Sequence, residues 1–405
     1  MEAVDETKIV STEQQDEVTH KKITKEPFIF LLVMFGAIWY LGSIMGVSHL
    51  FSTIMKTAFD LLLNTGWFVT AIMVMTGALS SLLAEFGVTD LIEMIISPLM
   101  RPIFGLPGVA SLGVVTCFLS DNPAVLSLGT DKRIRRYFKK YEIAALTNMG
   151  TAFGMGLVVF TFMVGYGFIL PTVVGIAACV VGSCISTRLM LMFTKRYYKK
   201  VGRWEEQDQY CDSGEDEAAE AAAEESSKKE KGNVFTRFMN SMLDGASTGV
   251  TNGLRCIPGI LTTTTIIMMV TLGPSVAADG TLAYTGKAYE GIALLPKLGD
   301  YIGPVLELLF GFKSGACVAF PLTSMGAVGA ALGTLPAMLK QGFVNPNDIA
   351  VFTAVGMCYS GYLGTHISMM DVLGKRELAG YAILSHTIGG FMAGIAAHLL
   401  YVLVA

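Results

Sequence analysis

The feature that most limits how this chain can fold is a series of long apolar segments that carry almost no charge. A helix needs about 20 such residues to cross ~30 Å of hydrocarbon. Only 15% of the 405 residues are charged, whereas a soluble domain carries about 25%. The segments long enough to span a membrane are residues 28–47, 66–84, 142–165, 168–195, 256–276, 348–370 and 377–403. The sequence therefore predicts an all-α membrane protein with about seven transmembrane helices.

Several function classes lack the residues that they need. The basic clusters lie next to apolar segments, where the positive-inside rule accounts for them, so no nucleic-acid partner is predicted. The seven cysteines show no Cys-x-x-Cys spacing, so neither zinc nor a disulfide framework is indicated. The chain contains no P-loop, nucleophile elbow, HExxH or Rossmann glycine motif. We predict no enzyme activity, no catalytic or metal-binding residues and no cofactor.

An internal repeat divides the chain. When the sequence is shifted by 206 residues, the separation of Pro98 and Pro304, identical residues align without gaps. The aligned pairs include Phe104 with Phe310, Gly105 with Gly311, Ala124 with Ala330, Ile143 with Ile349, Thr147 with Thr353 and Gly150 with Gly356. Because the offset aligns helix-breaking glycine and proline as well as apolar residues, we interpret it as a true structural repeat.

The repeat gives the domain organisation. Residues 1–27 form a polar N-terminal tail, and residues 28–65 form a first transmembrane helix followed by an interfacial helix. The first repeat covers residues 66–195 and the second covers 234–403. Between them, residues 196–233 are acidic and rich in alanine, which is typical of a solvated, disordered linker.

Loop charges predict that each repeat contains a re-entrant hairpin. Residues 131–140 form the densest basic loop and should be cytoplasmic, as should the tail, which carries Lys21, Lys22 and Lys25 next to the first span. Both can lie inside only if residues 106–130 enter the membrane and turn back. By the same positive-inside rule, residues 313–340 are predicted to form a hairpin that enters from outside. The two halves then have the same order of elements in opposite orientation, an architecture that recurs in transporters.

The hairpin tips are the predicted solute-binding site. Non-helical backbone at membrane depth is tolerated only inside protein or against water. The first tip carries Ser120, Asp121 and Asn122, followed by a proline, and the aligned second tip carries Thr323 and Ser324. A carboxylate deep in a membrane is costly and usually functional, but Asp121 is also suited to capping the turn. Both roles remain open.

Polar residues inside the later spans are further candidates. Thr147 and Asn148 lie in a segment that we expect to be a broken helix, and Ser360 lies in its repeat partner. Asn148 is equally suited to joining helices by hydrogen bonds. His366 and Asp371 are candidates for proton coupling, although both also fit the polar end of a span.

Three sequence stretches resemble a known family. Residues 96–108 resemble the amphipathic stretch of the nucleoside-recognition, or Gate, domain family, and residues 304–312 and 324–329 look similar. The chain resembles two Gate proteins fused end to end, which are similar to the core of concentrative nucleoside transporters. The resemblance implies two hairpins, interfacial helices and an elevator-like movement, and the nucleoside carriers of this fold are commonly trimeric, which implies a homo-oligomer. The tips lack the glutamine, threonine and glutamate cluster of those carriers.

These observations together predict a secondary transporter coupled to Na⁺ or H⁺. Its partners would be the lipid bilayer and a small polar or anionic solute, with a nucleoside-like solute among the options. The predicted location is a bacterial inner membrane, with the N-terminus cytoplasmic and the C-terminus external. Two alternatives remain open from the sequence: a non-transporting Gate-fold scaffold or signalling protein, and a divalent-metal permease.

Overall fold

The computed structural model describes residues 25–211, 233–276 and 281–405, apart from the side chain of Arg133. Most of the predicted N-terminal tail and most of the acidic linker lie outside the described residues. Within the described ranges the chain is mainly helical and contains one short antiparallel pair of strands, β1 (Ser275–Val276) and β2 (Leu282–Ala283). Among these residues, six helical stretches are long and apolar enough to cross a membrane.

The first half begins with a continuous helical stretch and ends with a long span. Its helices are α1 (Glu26–Met45), α2 (Val47–Asp60), α3 (Trp67–Glu85), α4 (Val88–Phe104), α5 (Ser111–Leu119), α6 (Leu126–Thr130), α7 (Lys132–Arg135), α8 (Ile143–Phe153), α9 (Gly156–Gly165), α10 (Ile169–Lys200) and α11 (Trp204–Gln207). A π-helical segment, Leu61–Gly66, joins α2 to α3. Between α5 and α6 lies the 3₁₀ turn Asn122–Val125.

The second half repeats this order. Its helices are α12 (Val234–Gly259), α13 (Thr265–Thr271), α14 (Leu294–Tyr301), α15 (Gly303–Phe310), α16 (Ala319–Ser324), α17 (Val328–Lys340), α18 (Pro346–Cys358), α19 (Tyr362–Val372) and α20 (Ala379–Val404). A second π-helical segment, Ile260–Thr264, joins α12 to α13. The 3₁₀ turn Gly315–Val318 leads into α16.

Both predicted hairpins bend sharply away from the amphipathic helix that precedes them. The chain turns by 109° between α4 and the segment Gly108–Leu119, and by 68° between α15 and the segment Gly315–Ser324. Gly105 and Gly311, which the repeat aligns, end α4 and α15 with positive φ values of 79° and 70°. A left-handed residue at this position favours glycine because a Cβ atom is disfavoured there. We call residues 108–130 the first hairpin and 315–340 the second hairpin.

The buried centre of the molecule is formed by the broken helices of the two halves. Every residue of α8 is buried, and so is every residue of α18 after Asn347. The long helices α10 and α20 pack on each other and on both α8 and α18. Protein therefore surrounds the breaks in these helices, which allows irregular backbone inside a membrane.

Two helix boundaries differ from the sequence prediction. Residues 48–65 do not form a separate interfacial helix, because α2 continues through the π-helical segment into α3 as one 39-residue helix. The span predicted at 256–276 begins at Val234 and ends at Thr271. Asp244, Asn252 and Arg255 lower the average hydropathy of its first half, which hid this part of the span.

The first part of the predicted linker is folded. Helix α10 extends to Lys200, and α11 follows it. The Lys139 ammonium group pairs with the Asp208 carboxylate at 2.9 Å. Lys139 and Tyr210 also form an isolated antiparallel bridge. The residues of the predicted linker from 196 to Cys211 therefore belong to the folded protein, and the rest of it up to residue 232 lies outside the described residues.

Candidate solute-binding site at the hairpin tips

Each broken helix is interrupted at the level of a hairpin tip. Helix α8 ends at Phe153, and α9 starts after Met155, a non-glycine residue with φ of 56°. Helix α18 ends at Cys358, and α19 starts after Gly361. The first break was predicted at 147–151 but lies later in the chain. The second was predicted over 353–361, and the structure has it only in the last part, at 359–361. A left-handed non-glycine residue is strained, and such strain often marks functional sites.

Asn122, at the first hairpin tip, is inserted between the two breaks. Its Oδ1 atom lies 2.8 Å from the Ser360 hydroxyl, which is also 2.9 Å from the Thr151 carbonyl oxygen. A Cβ atom added to Gly154 would lie 1.3 Å from Asn122 Oδ1, and one added to Gly361 would lie 2.2 Å from Asn122 Nδ2. Both glycines are therefore required for the tip to reach the breaks.

A cavity of about 530 Å³ opens in front of this arrangement. Its floor contains the first tip, both helix breaks and residues 326–330 of the second hairpin. Its opposite side is a wall formed by α3 and α12. The polar and charged side chains that line it are Thr76, Ser80, Ser81, Ser120, Asp121, Asn122, Asp244, Thr248, Asn252, Arg255, Ser360 and Thr365. A solute there would meet polar and charged side chains both on the floor and on the wall.

Asp121 and Arg255 give the cavity its main electrostatic feature. Asp121 caps the 3₁₀ turn, because its Oδ1 atom accepts a hydrogen bond from the Asn122 amide at 2.7 Å. Arg255 reaches from the wall helix α12 and interacts electrostatically with Asp121. Capping leaves the second carboxylate oxygen available to a solute. The two roles considered for Asp121, cap and solute contact, are therefore compatible.

The second tip differs from the first in its chemistry. The Thr323 hydroxyl donates to the Ala319 carbonyl at 2.6 Å, and the Ser324 hydroxyl donates to the Pro321 carbonyl at 2.8 Å. Both side chains are buried and bond back to their own helix. Neither lines the cavity, which is bounded instead by Gly326 and Ala327. The second hairpin thus contributes mainly backbone and small side chains.

Thr147 and Asn148 lie behind the breaks rather than in the cavity. The Asn148 amide donates to the Ser186 hydroxyl at 2.9 Å and to the Ser385 hydroxyl at 2.8 Å. The Thr147 hydroxyl contacts the Met370 sulfur at 3.3 Å. Of the two roles considered for Asn148, its contacts correspond to the one that joins helices, here α8 to α10 and α20.

The predicted coupling residues do not contact each other. Asp371 is exposed and pairs with Arg376. His366 is completely buried and lies against His386, with ring centroids 4.6 Å apart. The contact between His366 and His386 was not predicted, because nothing in the intervening residues indicates that α19 and α20 bring them together.

Close packing of α3 and α12 forms the wall. A Cβ atom at Gly77 would lie 2.4 Å from the Gly245 carbonyl oxygen, and one at Gly249 would lie 2.2 Å from the Met73 carbonyl oxygen. The glycines at 245, 249 and 253 recur every fourth residue, so they share one helix face. This spacing is visible in the sequence, and it was the available signal for the wall.

Within the described part of the chain, no group of three His, Cys, Asp or Glu side chains could hold a metal ion.

Comparison with known proteins identifies the architecture. No family model matches the chain. An uncharacterized protein of Alkalihalophilus pseudofirmus is 28% identical over 306 residues, which are 74% of this chain and 58% of that protein. The chain thus spans less than two thirds of the length of this relative.

Solved structures of CNTnw, a concentrative nucleoside transporter, match nearly the whole chain. A double variant in an outward-facing state has a TM-score of 0.53 at 15% identity, covering 94% of this chain and 85% of that one. An inward-facing substrate-bound state has a TM-score of 0.51 at 16% identity, covering 93% and 86%. The predicted fold class is confirmed: the chain is an all-α membrane protein with re-entrant helices and a core like that of these transporters, which are not enzymes.

Proposed function

We propose that this chain is a secondary transporter that binds a small polar solute in the cavity between the hairpin tips and the wall. One observation carries the proposal: both tips and both helix breaks converge on one cavity of about 530 Å³ that has polar and charged side chains on its floor and on its wall. Discontinuous helices that meet at such a site are a recurrent means of binding solutes inside membranes. The likeness of the fold to CNTnw in outward-facing and inward-facing states supports alternating access.

The lining supports a solute that carries both hydrogen-bond donors and acceptors. Asp121, on the floor, can accept hydrogen bonds from a solute, and Arg255, on the wall, can donate hydrogen bonds to it. A charged partner strengthens a hydrogen bond, typically to ~1.5–3 kcal/mol. A nucleoside-like solute has this mixture of groups, and so does a zwitterionic one.

The wall helices are suited to serve as the fixed part of such a transporter. Backbone-to-backbone packing at Gly77, Gly245 and Gly249 leaves little freedom between α3 and α12. The floor, by contrast, faces them across an open cavity. We propose that the core formed by α8–α10 and α18–α20, with both hairpins, moves against this wall. We also propose that the two halves are a repeat related to the Gate family. In the same proposal, the chain is a homo-oligomer in a bacterial inner membrane, with its N-terminus in the cytoplasm.

A thermal-shift screen of the purified full-length chain is the first test. The ligands are nucleosides, dipeptides, carboxylates and divalent cations. A ligand at 100 times its Kd stabilises the folded state by about 2.7 kcal/mol. We expect a polar organic solute to raise the apparent melting temperature and to exchange across proteoliposomes in a counterflow assay. Stabilisation by divalent cations alone would favour the metal permease, and no stabilisation with no exchange would favour a scaffold. Either result would overturn the proposal.

Matched variants test the site itself. Asp121→Asn and Arg255→Gln should each weaken binding of the stabilising solute by about tenfold or more, because each removes a charged hydrogen-bonding partner. Asp90→Asn and Lys297→Gln make the same chemical changes at exposed positions outside the cavity. They should leave binding unchanged. Equal losses in all four variants would show that charge in general, rather than this cavity, controls binding.

A further inference from the structure

A pair of buried histidines lies directly behind the cavity. His366 on α19 and His386 on α20 have no exposed surface, and their ring planes are inclined by 46°. His366 follows Thr365, which lines the cavity. Histidine is the side chain whose ordinary titration range is nearest to physiological pH. Its burial inside a membrane core therefore needs an explanation.

Hydrogen bonds fix His386 as a neutral ring with both nitrogens satisfied. Its Nε2 atom contacts the Cys358 carbonyl oxygen, which can only accept, so Nε2 carries the proton. Its Nδ1 atom lies 2.9 Å from the Ser186 hydroxyl, which therefore donates to it. No lone pair of His386 remains free for another proton.

The same reasoning leaves one free basic nitrogen on His366. The Thr151 hydroxyl donates to the Thr147 carbonyl at 2.9 Å. Its oxygen therefore accepts from the His366 Nδ1–H group, 3.3 Å away. The Nε2 atom then carries a lone pair, and it is buried with no hydrogen-bond partner. A buried polar atom without a partner is uncommon and calls for a specific explanation.

No charged side chain near the two histidines explains why the Nε2 atom of His366 lacks a partner. The titratable side chains that face it are Tyr362 from α19, Tyr359 and Cys358 from the end of α18, and Cys179 from α10. Helix α8 contributes only uncharged polar groups to it. Among the described residues, no carboxylate forms an ion pair with either ring. A second proton on His366 would be an uncompensated buried charge, which is strongly unfavourable.

The pair is connected to the cavity through the helix breaks. Thr151, which holds His366 through its hydroxyl, also contacts the Ser360 hydroxyl through its carbonyl oxygen. Ser360 in turn contacts Asn122 at the first hairpin tip. A movement of the His366 ring thus acts on the contacts that hold the tip between the breaks.

We propose that His366 Nε2 is the proton-binding site that couples transport to H⁺. A proton from water in the cavity adds to the Nε2 lone pair and forms an imidazolium ion. The structure described here disfavours that ion, so protonation drives the core towards a conformation in which water reaches the ring. The proton returns to water on the other side of the membrane. The coupling rests on the proposed transport function, whereas proton binding itself does not require a known solute.

Solid-state ¹⁵N NMR of histidine-labelled protein in proteoliposomes tests the site directly. The chain has five histidines, so the His366 signals can be assigned by their loss in His366→Gln. The pH is lowered in steps from about 8 until the protein begins to unfold. We expect the unprotonated Nε2 of His366 to gain its proton before that point, while His386 keeps its neutral form. A His366 ring that stays neutral over this range would overturn the proposal.

Two threonine variants separate a specific arrangement from general packing. Thr151→Val removes the acceptor of the His366 Nδ1–H group and should change the tautomer signals or the pH at which they titrate. Thr161→Val is the matched control, because the Thr161 hydroxyl makes the same kind of bond to the carbonyl four residues earlier but lies away from the histidines. Unchanged His366 signals in Thr151→Val would contradict the assigned tautomer.

A labelling experiment tests coupling without a solute. Ser120→Cys places a thiol at the exposed first tip, and its reaction with a maleimide is followed at each pH. The same rate is measured in the double variant that carries both Ser120→Cys and His366→Gln. Dividing the first rate by the second at each pH removes the pH dependence of the maleimide reaction itself. We expect the ratio to change by about threefold or more on acidification, as a population shift requires. A constant ratio would separate the histidine from the cavity, while leaving solute binding and counterflow as an independent test of transport.

Discussion

The two hairpins have the same backbone plan but different chemistry. Each follows an amphipathic helix that ends in a left-handed glycine, Gly105 or Gly311, and each tip reaches a broken helix. The first tip presents Asp121 to the cavity and inserts Asn122 between both breaks. The second tip turns Thr323 and Ser324 back onto its own helix and lines the cavity with Gly326 and Ala327.

This difference indicates that the two hairpins have different roles, although they occupy equivalent positions in the two halves. Asn122 contacts Ser360, so the first hairpin is held by the broken helix of the other half. In contrast, the Val328 amide is 3.5 Å from the Ser360 carbonyl, at the limit of a hydrogen bond. We infer that the first hairpin supplies recognition, and that the second serves as a cover which needs close approach more than side-chain chemistry.

The largest expected effect is loss of the fit between the first tip and the breaks. Gly154→Ala would place a methyl group on the Asn122 amide oxygen, since the added Cβ would lie 1.3 Å away. We expect destabilisation of about 3 kcal/mol, at the upper end for overpacking. It should appear as a lower apparent melting temperature in detergent and as loss of solute binding.

Gly326→Ala is the corresponding change at the second tip. Its added Cβ would lie 3.5 Å from the Thr323 carbonyl oxygen, an ordinary contact, so little change is expected. Combining Gly154→Ala with Asn122→Ala should recover part of the lost stability, because the clashing amide is removed. Equal sensitivity at Gly154 and Gly326 would contradict the proposed difference between the tips.

The next effect concerns recognition alone. Asp121→Asn keeps the shape of the first tip and an oxygen that can accept from the Asn122 amide, but it removes the charge. We expect solute affinity to fall by roughly 10- to 100-fold, since hydrogen bonds to charged groups contribute about 1.5–3 kcal/mol. Counterflow in proteoliposomes measures this loss. Ser324→Ala at the second tip should leave affinity within about twofold, and a similar loss there would make the two tips equivalent.

A smaller effect is expected from the contact that joins the halves. Asn122→Ala removes the bond to Ser360 and leaves a void between the breaks, for a cost of about 1–2 kcal/mol. Thr323→Val at the second tip removes a hydroxyl that bonds only to its own helix, and should cost less than about 1 kcal/mol. The apparent melting temperatures of the two variants measure how much each contact contributes to stability. A greater loss in Thr323→Val would reverse their assigned importance.

The sequence predicts those parts of the site that residues close together in the chain determine. The Asp-Asn-Pro turn of the first tip and the charges of residues 131–140 are local signals, so they indicated the first hairpin. Loop charges also indicated the second hairpin, and the repeat offset located its tip. The orientation of Asn148 is not local. Its contacts with Ser186 and Ser385 depend on how α8 packs against two distant helices.

The wall and the histidine pair show the same limit. Arg255 and Asn252 made the first half of α12 look too polar to span a membrane, although these polar side chains face a cavity. His366 and His386 meet only because α19 turns back against α20. Tertiary packing decides both features, and a single sequence records only the residues that take part.

The smallest expected effect compares two buried acids that the repeat aligns. Glu142 pairs with Arg101 of the amphipathic helix at 2.7 Å, whereas Asp348 caps its own helix with Asn345. Arg101 is about half exposed, so Glu142→Gln should cost only about 1 kcal/mol and the loss should shrink in high salt. Asp348→Asn should show no such salt dependence in thermal unfolding. Equal salt dependence would remove this distinction between the halves.

The most direct test asks whether the two hairpins enter the membrane from opposite faces. Arg136 lies beyond the end of the first hairpin and Gln341 beyond the end of the second, and both are exposed. With the seven native cysteines replaced, Arg136→Cys and Gln341→Cys would be labelled with a membrane-impermeant maleimide in oriented vesicles. We predict labelling of Cys at 341 from the external side and of Cys at 136 only after the membrane is opened. Labelling of both from one side would contradict the opposed hairpins and the cavity between them.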